Sequence, residues 1–209
     1  MSLYRSFFAV LAALLLSGAA HAADKLVVAF GDSLTAGYRL PPGQGFAPQL
    51  EAALRKSGTS ARVQNAGVSG DTTAQGKARL GWVLSAAKTK PDLVIVELGA
   101  NDMLRGLDPA RAEANLDAIL TELGRRRIPV LLAGMVAAPN LGPDYAGKFN
   151  PIYRRLAAKH GVKLYPFFLQ GVVGDRSLHI GDAIHPNARG VAVIVRGILP
   201  HVKASLAKG

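Results

Sequence analysis

From residue 26 onward the chain alternates short apolar runs with amphipathic stretches, and this period restricts the fold more than any other feature. Residues 26–30 (LVVAF) read as a buried strand that ends at Gly31. Phe46, Leu50 and Leu54 recur at helical spacing, with Arg55, Lys56 and Gly58 as stop signals. Residues 62–66 predict a second strand, and residues 72–84 a helix with Asp71 as its N-cap. Residues 93–98 (LVIVEL) predict a third strand, and residues 109–126 a long helix opening on Pro109. A fourth strand is expected over 130–135, then a helix over 145–159 whose start Pro151 disturbs. A short strand over 163–165 and a final helix over 187–203, interrupted by Pro200, complete the pattern. Strands and helices alternating at this spacing predict a mostly parallel sheet of about five strands covered on both faces. The expected architecture is a three-layer α/β/α domain, doubly wound in the flavodoxin-like order. In such sheets, sites form beyond the carboxyl ends of the strands. A motif placed directly after a strand is therefore a candidate for chemistry.

The 209 residues suffice for one domain with a sizeable core. Residues 1–23 stand apart from it: Arg5, an apolar run from Phe7 to Leu16, and Ala20-His21-Ala22 have the layout of a secretory leader cleaved near Ala22. The run is too short to span a bilayer securely. The expected division is thus a signal peptide at 1–23 and a single domain at 24–209, located in the periplasm or secreted. There are no cysteines, so neither a disulfide, a thiolate-held metal nor a thiol nucleophile is available. The net charge of +11 is scattered rather than clustered. Its longest run, Arg125-Arg126-Arg127, lies at a predicted helix end without interleaved aromatic residues, which argues against nucleic-acid binding. Transient attraction to an anionic membrane surface is the use expected of the charge.

Four clusters carry candidate chemistry. Gly31-Asp32-Ser33-Leu34 follows the first strand, where a tight turn can hold a serine at the sheet's edge; an ordinary helix cap is the alternative. Asn65-Ala66-Gly67-Val68-Ser69-Gly70-Asp71 follows the second, and Gly70 can turn a backbone N–H into a site. Gly99-Ala100-Asn101-Asp102 follows the third and offers an amide donor, although Asn also favours loops for local reasons. In Asp182-Ala183-Ile184-His185-Pro186, a spacing of three lets a carboxylate bond one ring nitrogen while the other faces a nucleophile. Near-matches to a G-x-S-x-G elbow (Gly67 to Asp71) and to a phosphate loop (Gly70 to Ala78) fail at defining positions. His160 and His179 read as surface residues, Asp32 and Asp102 as loop acceptors, and Trp82 and the methionines as packing.

Together the stretches GDSLTAGY, NAGVSGDT, VELGANDMLRG and DAIHPN resemble the GDSL family of SGNH hydrolases, in its order and over nearly all of the chain beyond residue 23. They are most similar to the bacterial periplasmic thioesterase I, lysophospholipase and arylesterase branch. The resemblance implies Ser33 as nucleophile, His185 as general base and Asp182 as its orienting acid. It implies an oxyanion hole from the N–H of Ser33, the N–H of Gly70 and the side chain of Asn101. It implies hydrolysis of carboxylic esters, thioesters or lysophospholipids; separately, no cofactor or metal is expected, and a monomer is expected although the sequence does not fix the oligomeric state. Met103, Leu104 and Leu107, with the apolar segment 135–141, are expected to border the acyl group. Two rivals stand beside this reading: an acetylesterase acting on extracellular glycans, which would want exposed aromatics although these make up 6% of the chain, and a non-catalytic exported binding protein.

Overall fold

The computed structural model describes residues 24–207, so the leader expected at 1–23 lies outside the described residues. Five strands, β1 (Lys25–Gly31), β2 (Ala61–Gly67), β3 (Leu93–Glu97), β4 (Val130–Ala133) and β5 (Lys163–Tyr165), form one parallel sheet in the order β2-β1-β3-β4-β5. This is the flavodoxin-like doubly wound order. Strands β3 and β4 are buried at every position and β1 at all but Lys25, whereas the edge strands β2 and β5 are partly exposed. The continuous apolar runs of the sequence are therefore the strands that lie between two helical layers.

The helices are α1 (Ser33–Ala36), α2 (Phe46–Lys56), α3 (Thr73–Ala86), α4 (Ala100–Leu104), α5 (Pro109–Arg125), α6 (Gly142–Phe149), α7 (Ile152–His160) and α8 (Ala188–Leu206). One layer pairs α2 with α8; the other runs α3, α5, α7 in contact. The apolar spacing sets these faces: Phe46, Leu50 and Leu54 of α2 and Leu116, Ile119, Leu120 and Leu123 of α5 are all buried. The connections leave β1 and β3 toward opposite faces, which opens a crevice between neighbouring carboxyl ends.

The elements differ from expectation in four places. Helix α3 is capped by Thr72 in a reciprocal capping box with Gln75, not by Asp71, because the Asp71 carboxylate is taken by Arg79 at 2.5 Å. Helix α8 runs unbroken through Pro200. Its buried face, Val191, Ile194, Val195, Ile198 and Val202, outweighs the roughly 3 kcal/mol that an internal proline costs. The helix expected over 145–159 is two helices, α6 and α7, separated by Asn150 and Pro151, since proline offers no N–H to continue the ladder. Strand β4 stops at Ala133, and Gly134 turns away with its N–H on the Tyr165 carbonyl and its own carbonyl receiving the Phe168 N–H.

Candidate active site

The register of the sheet levels the ends that matter. Gly31 pairs with Gly67 on one side and with Glu97 on the other, so the segments that follow β1, β2 and β3 leave from one height. Gly31 must be glycine: a Cβ there would collide with the Thr35 hydroxyl and with the backbone and carboxyl of Glu97. Arg79 fixes the same level from α3. It donates to the carbonyls of Gly31 and Ala66 at 2.8 Å each and lies over the Phe30 ring at 4.4 Å.

Ser33 is the first residue of α1, whose N-cap is Asp32 rather than Ser33, with Asp32 Oδ1 accepting from the Leu34 N–H at 3.0 Å. The serine hydroxyl meets His185 Nε2 at 2.9 Å, and His185 Nδ1 meets Asp182 Oδ2 at 2.6 Å. An ionised carboxylate only accepts, so Nδ1 carries the proton and Nε2 is the acceptor facing Ser33. The other oxygen of Asp182 takes the N–H groups of Ile184 and His185 at 3.0 and 2.9 Å, which closes a small turn and sets the spacing of three. Burial works against ionising Asp182, but these N–H groups and the imidazole outweigh it and hold its pKa down to about 2. The Tyr38 ring packs on the imidazole with centroids 4.6 Å apart, and Asn187 anchors the loop to α8 by capping it.

Gly70 sits at φ +86°, a left-handed conformation that glycine adopts without strain, and its carbonyl is held by Arg105 at 2.7 Å. Among the described residues, neither the Ser33 N–H nor the Gly70 N–H is bonded to a protein acceptor. Asn101, in the first turn of α4, differs: its Nδ2 donates to Asp32 Oδ2 and to the Asp71 carbonyl, both at 3.0 Å. Both neighbours are acceptors, which fixes which end of the amide is nitrogen. Beneath this cluster Glu97 is fully buried, accepts from the Thr35 hydroxyl at 2.7 Å, and has a second oxygen without a partner. Burial first, and then the nearby Asp32, pushes its pKa well up. Burial likewise raises Asp32 to about 7, against the pull of the Leu34 N–H and the Asn101 amide, with Asp71 and Asp102 adding to the rise.

Ser33, Asn101 and His185 open into a cavity of about 390 Å³. Its walls are largely apolar and include Met103, Leu104, Met135, Val136, Phe167 and Val173. Of the three residues expected to border an acyl group, Met103 and Leu104 line it and Leu107 does not. Leu107 turns outward, 40% exposed, with its carbonyl tied to the Tyr145 hydroxyl at 2.9 Å. The segment after β5 supplies wall residues that no sequence signal marked, among them Phe167, Leu169 and Val173. His179 also lines the cavity, so it is not an ordinary surface residue. Nor is His160, whose Nε2 meets Asp117 at 2.6 Å between α5 and α7. Met103 and Met135 are buried as expected, whereas Trp82 is 74% exposed on α3 and packs no core. Asp32 and Asp102 are loop acceptors as expected, Asp102 receiving both the N–H and the hydroxyl of Thr73. Among the described residues no group of three acidic or histidine side chains could hold a metal ion, and no helix is long and apolar enough to cross a membrane.

Known proteins are similar to this chain over most of its length. The GDSL-like Lipase/Acylhydrolase family matches residues 29–193. Esterase TesA of Pseudomonas aeruginosa is 40% identical over 196 residues, covering 94% of this chain and 96% of its own. Thioesterase 1/protease 1/lysophospholipase L1 of Escherichia coli K12 is 40% identical over 173 residues, or 83% of this chain and 80% of the other. The crystal structure of AlinE4, an SGNH-hydrolase family esterase, superposes with a TM-score of 0.75 at 51% identity over 88% of this chain and 97% of that one. A sheet order, a serine–histidine–carboxylate line and a matched family spanning most of the chain agree, and the chain is a member of the GDSL/SGNH hydrolase family, a carboxylic ester hydrolase.

Proposed function

We propose that the chain is an exported serine hydrolase that cleaves acyl esters, and thioesters or lysophospholipids of similar acyl groups, through an acyl-enzyme on Ser33. The observation that carries this reading is the line Asp182–His185–Ser33, with contacts of 2.6 and 2.9 Å, at the mouth of an apolar cavity. His185 takes the Ser33 proton as Oγ attacks the acyl carbon, and Asp182 stabilises the imidazolium. The N–H groups of Ser33 and Gly70 and the Asn101 amide receive the oxyanion. Collapse of the tetrahedral intermediate expels the alcohol or thiol, which takes its proton from His185. Water, deprotonated by His185, then releases the carboxylic acid. The related names support the substrate range: esterase for the Pseudomonas protein, thioesterase and lysophospholipase for the Escherichia one. Export rests on the leader pattern of residues 1–23.

A glycan acetylesterase is the weaker reading, because among the described residues Phe167 is the single aromatic side chain other than histidine in the cavity wall. The test is p-nitrophenyl acetate hydrolysis by the wild type and by Ser33→Ala. The variant should keep its fold and lose nearly all activity, leaving only the residue that donors and binding supply. Retention of more than roughly a tenth of kcat would place the nucleophile elsewhere, with Ser69 next in line.

A further inference from the structure

Asn101 presents a problem for an oxyanion donor: both hydrogens of its Nδ2 are already spent, one on Asp32 Oδ2 and one on the Asp71 carbonyl. The two acceptors are unequal. Asp71 offers a neutral main-chain carbonyl, and it follows Gly70, whose own N–H faces no protein acceptor. Asp32 offers a carboxyl oxygen with no solvent exposure, whose partner oxygen is locked by the Leu34 N–H at the start of α1. Its own N–H points at Glu97 Oε2 at 3.4 Å. A developing oxyanion is charged and competes well against a neutral carbonyl, since bonds to ionised acceptors are about twice as strong.

We propose that Asp32 is a positioning residue of the oxyanion hole: its second carboxyl oxygen is a fixed pivot that keeps one Asn101 hydrogen while the other passes from the Asp71 carbonyl to the oxyanion. This rests on the reading of Ser33 as nucleophile. The residue that caps α1 therefore has two duties, one for each oxygen. Leu34 uses the capping oxygen, and Asn101 uses the other. A side chain with one acceptor oxygen can cap α1 but cannot do both.

Two substitutions separate the duties in the full chain. Asp32→Asn keeps the volume and a good N-cap, yet turns an NH₂ toward the NH₂ of Asn101. Asp32→Ser also caps but is too short to reach Asn101, and is read in the same way if the first variant folds poorly. With p-nitrophenyl butyrate, kcat should fall by about 10²–10³, as for loss of one oxyanion donor, with KM nearly unchanged and the far-ultraviolet circular dichroism retained. Combining either variant with Asn101→Ala should cost little beyond Asn101→Ala alone, because both remove the same donor. A near-wild-type kcat in the capping variants would overturn the proposal. So would losses that multiply in the double variant, since Asp32 would then act independently of Asn101. Ser33→Ala is assayed in parallel: an active Ser33→Ala sinks the serine-hydrolase reading, whereas an inactive one beside a fully active Asp32→Asn sinks this proposal alone.

Discussion

At the scale of single residues, the proposed oxyanion donors divide into two that are free of protein acceptors and one that is engaged. The Ser33 and Gly70 N–H groups have no protein acceptor among the described residues, and Asn101 is engaged twice. Asn101→Ala should therefore lower kcat by about 10²–10³ and leave KM nearly alone, since its bond to substrate forms only as charge develops. A pure rise in KM would make it a ground-state binding residue. Asp32 makes a second, thermodynamic prediction. It is faced by Glu97 below and by Asp71 and Asp102 alongside, with Arg79 spent on Asp71, and its pKa is raised from 3.8 to about 7. Over that window the folded protein keeps a proton that the unfolded chain releases, so rising pH favours unfolding. Stability lost this way accumulates between 3.8 and about 7 and is constant above. Asparagine has no such proton. The melting temperature of Asp32→Asn, relative to wild type, should rise as pH increases through that window and then level off. A gap independent of pH would mean that Asp32 ionises as it does in water.

At the scale of elements, the sheet ends that the strand register levels are also clamped by a helix. Arg79 reaches from α3 to Asp71 Oδ2 and to the carbonyls closing β1 and β2. Removing it strands a buried carboxylate and two carbonyls, a loss of about 3–5 kcal/mol for a buried pair. Arg79→Ala should lower the melting temperature by roughly 10 °C. Arg79→Lys should recover only part of this, because one ammonium cannot span three acceptors in a fork. A change within experimental error would show that the clamp is dispensable. The same elements show what the residue pattern discloses. Apolar runs such as LVIVEL and the 3.6-residue spacing of α2 and α5 report burial directly, so the sheet and its helices are legible from them. Ser33, Gly70, Asn101, Asp182 and His185 are legible because each stands in a short motif directly after a strand or before the final helix. Interactions that reach across the chain are not written locally. Nothing near Asp71 says that Arg79 will claim its carboxylate, and nothing near Pro200 says that a buried face will carry α8 past it. The second duty of Asp32 likewise depends on Asn101, a residue 69 positions away.

At the scale of the molecule, the loops after four different strands meet around one apolar cavity, and the walls set what fits. Met103 and Leu104 come from the segment after β3, Met135 and Val136 from that after β4, and Phe167 and Val173 from that after β5, with Ser33 from β1 at the mouth. A volume near 390 Å³ lies at the lower end for ligand sites, which suits one acyl chain better than a branched or multi-ring group. Each methylene drawn from water into such walls gains up to about 0.8 kcal/mol, or roughly fourfold in kcat/KM. Reactivity should therefore climb from acetyl to butyryl to longer p-nitrophenyl esters, and stop climbing when the cavity is full. Leu104 is half exposed, so Leu104→Asp should fold; its charge in the wall should flatten the climb while acetate hydrolysis persists. Leu107 stands next in the same segment but outside the wall, and Leu107→Asp should leave the chain-length profile unchanged. If Leu107→Asp flattened the profile as Leu104→Asp does, the acyl chain would run over the outer loop instead of into the cavity. A profile flat in the wild type would remove the acyl-binding role of the cavity altogether, and favour an enzyme that removes acetyl groups and takes its specificity from the alcohol side.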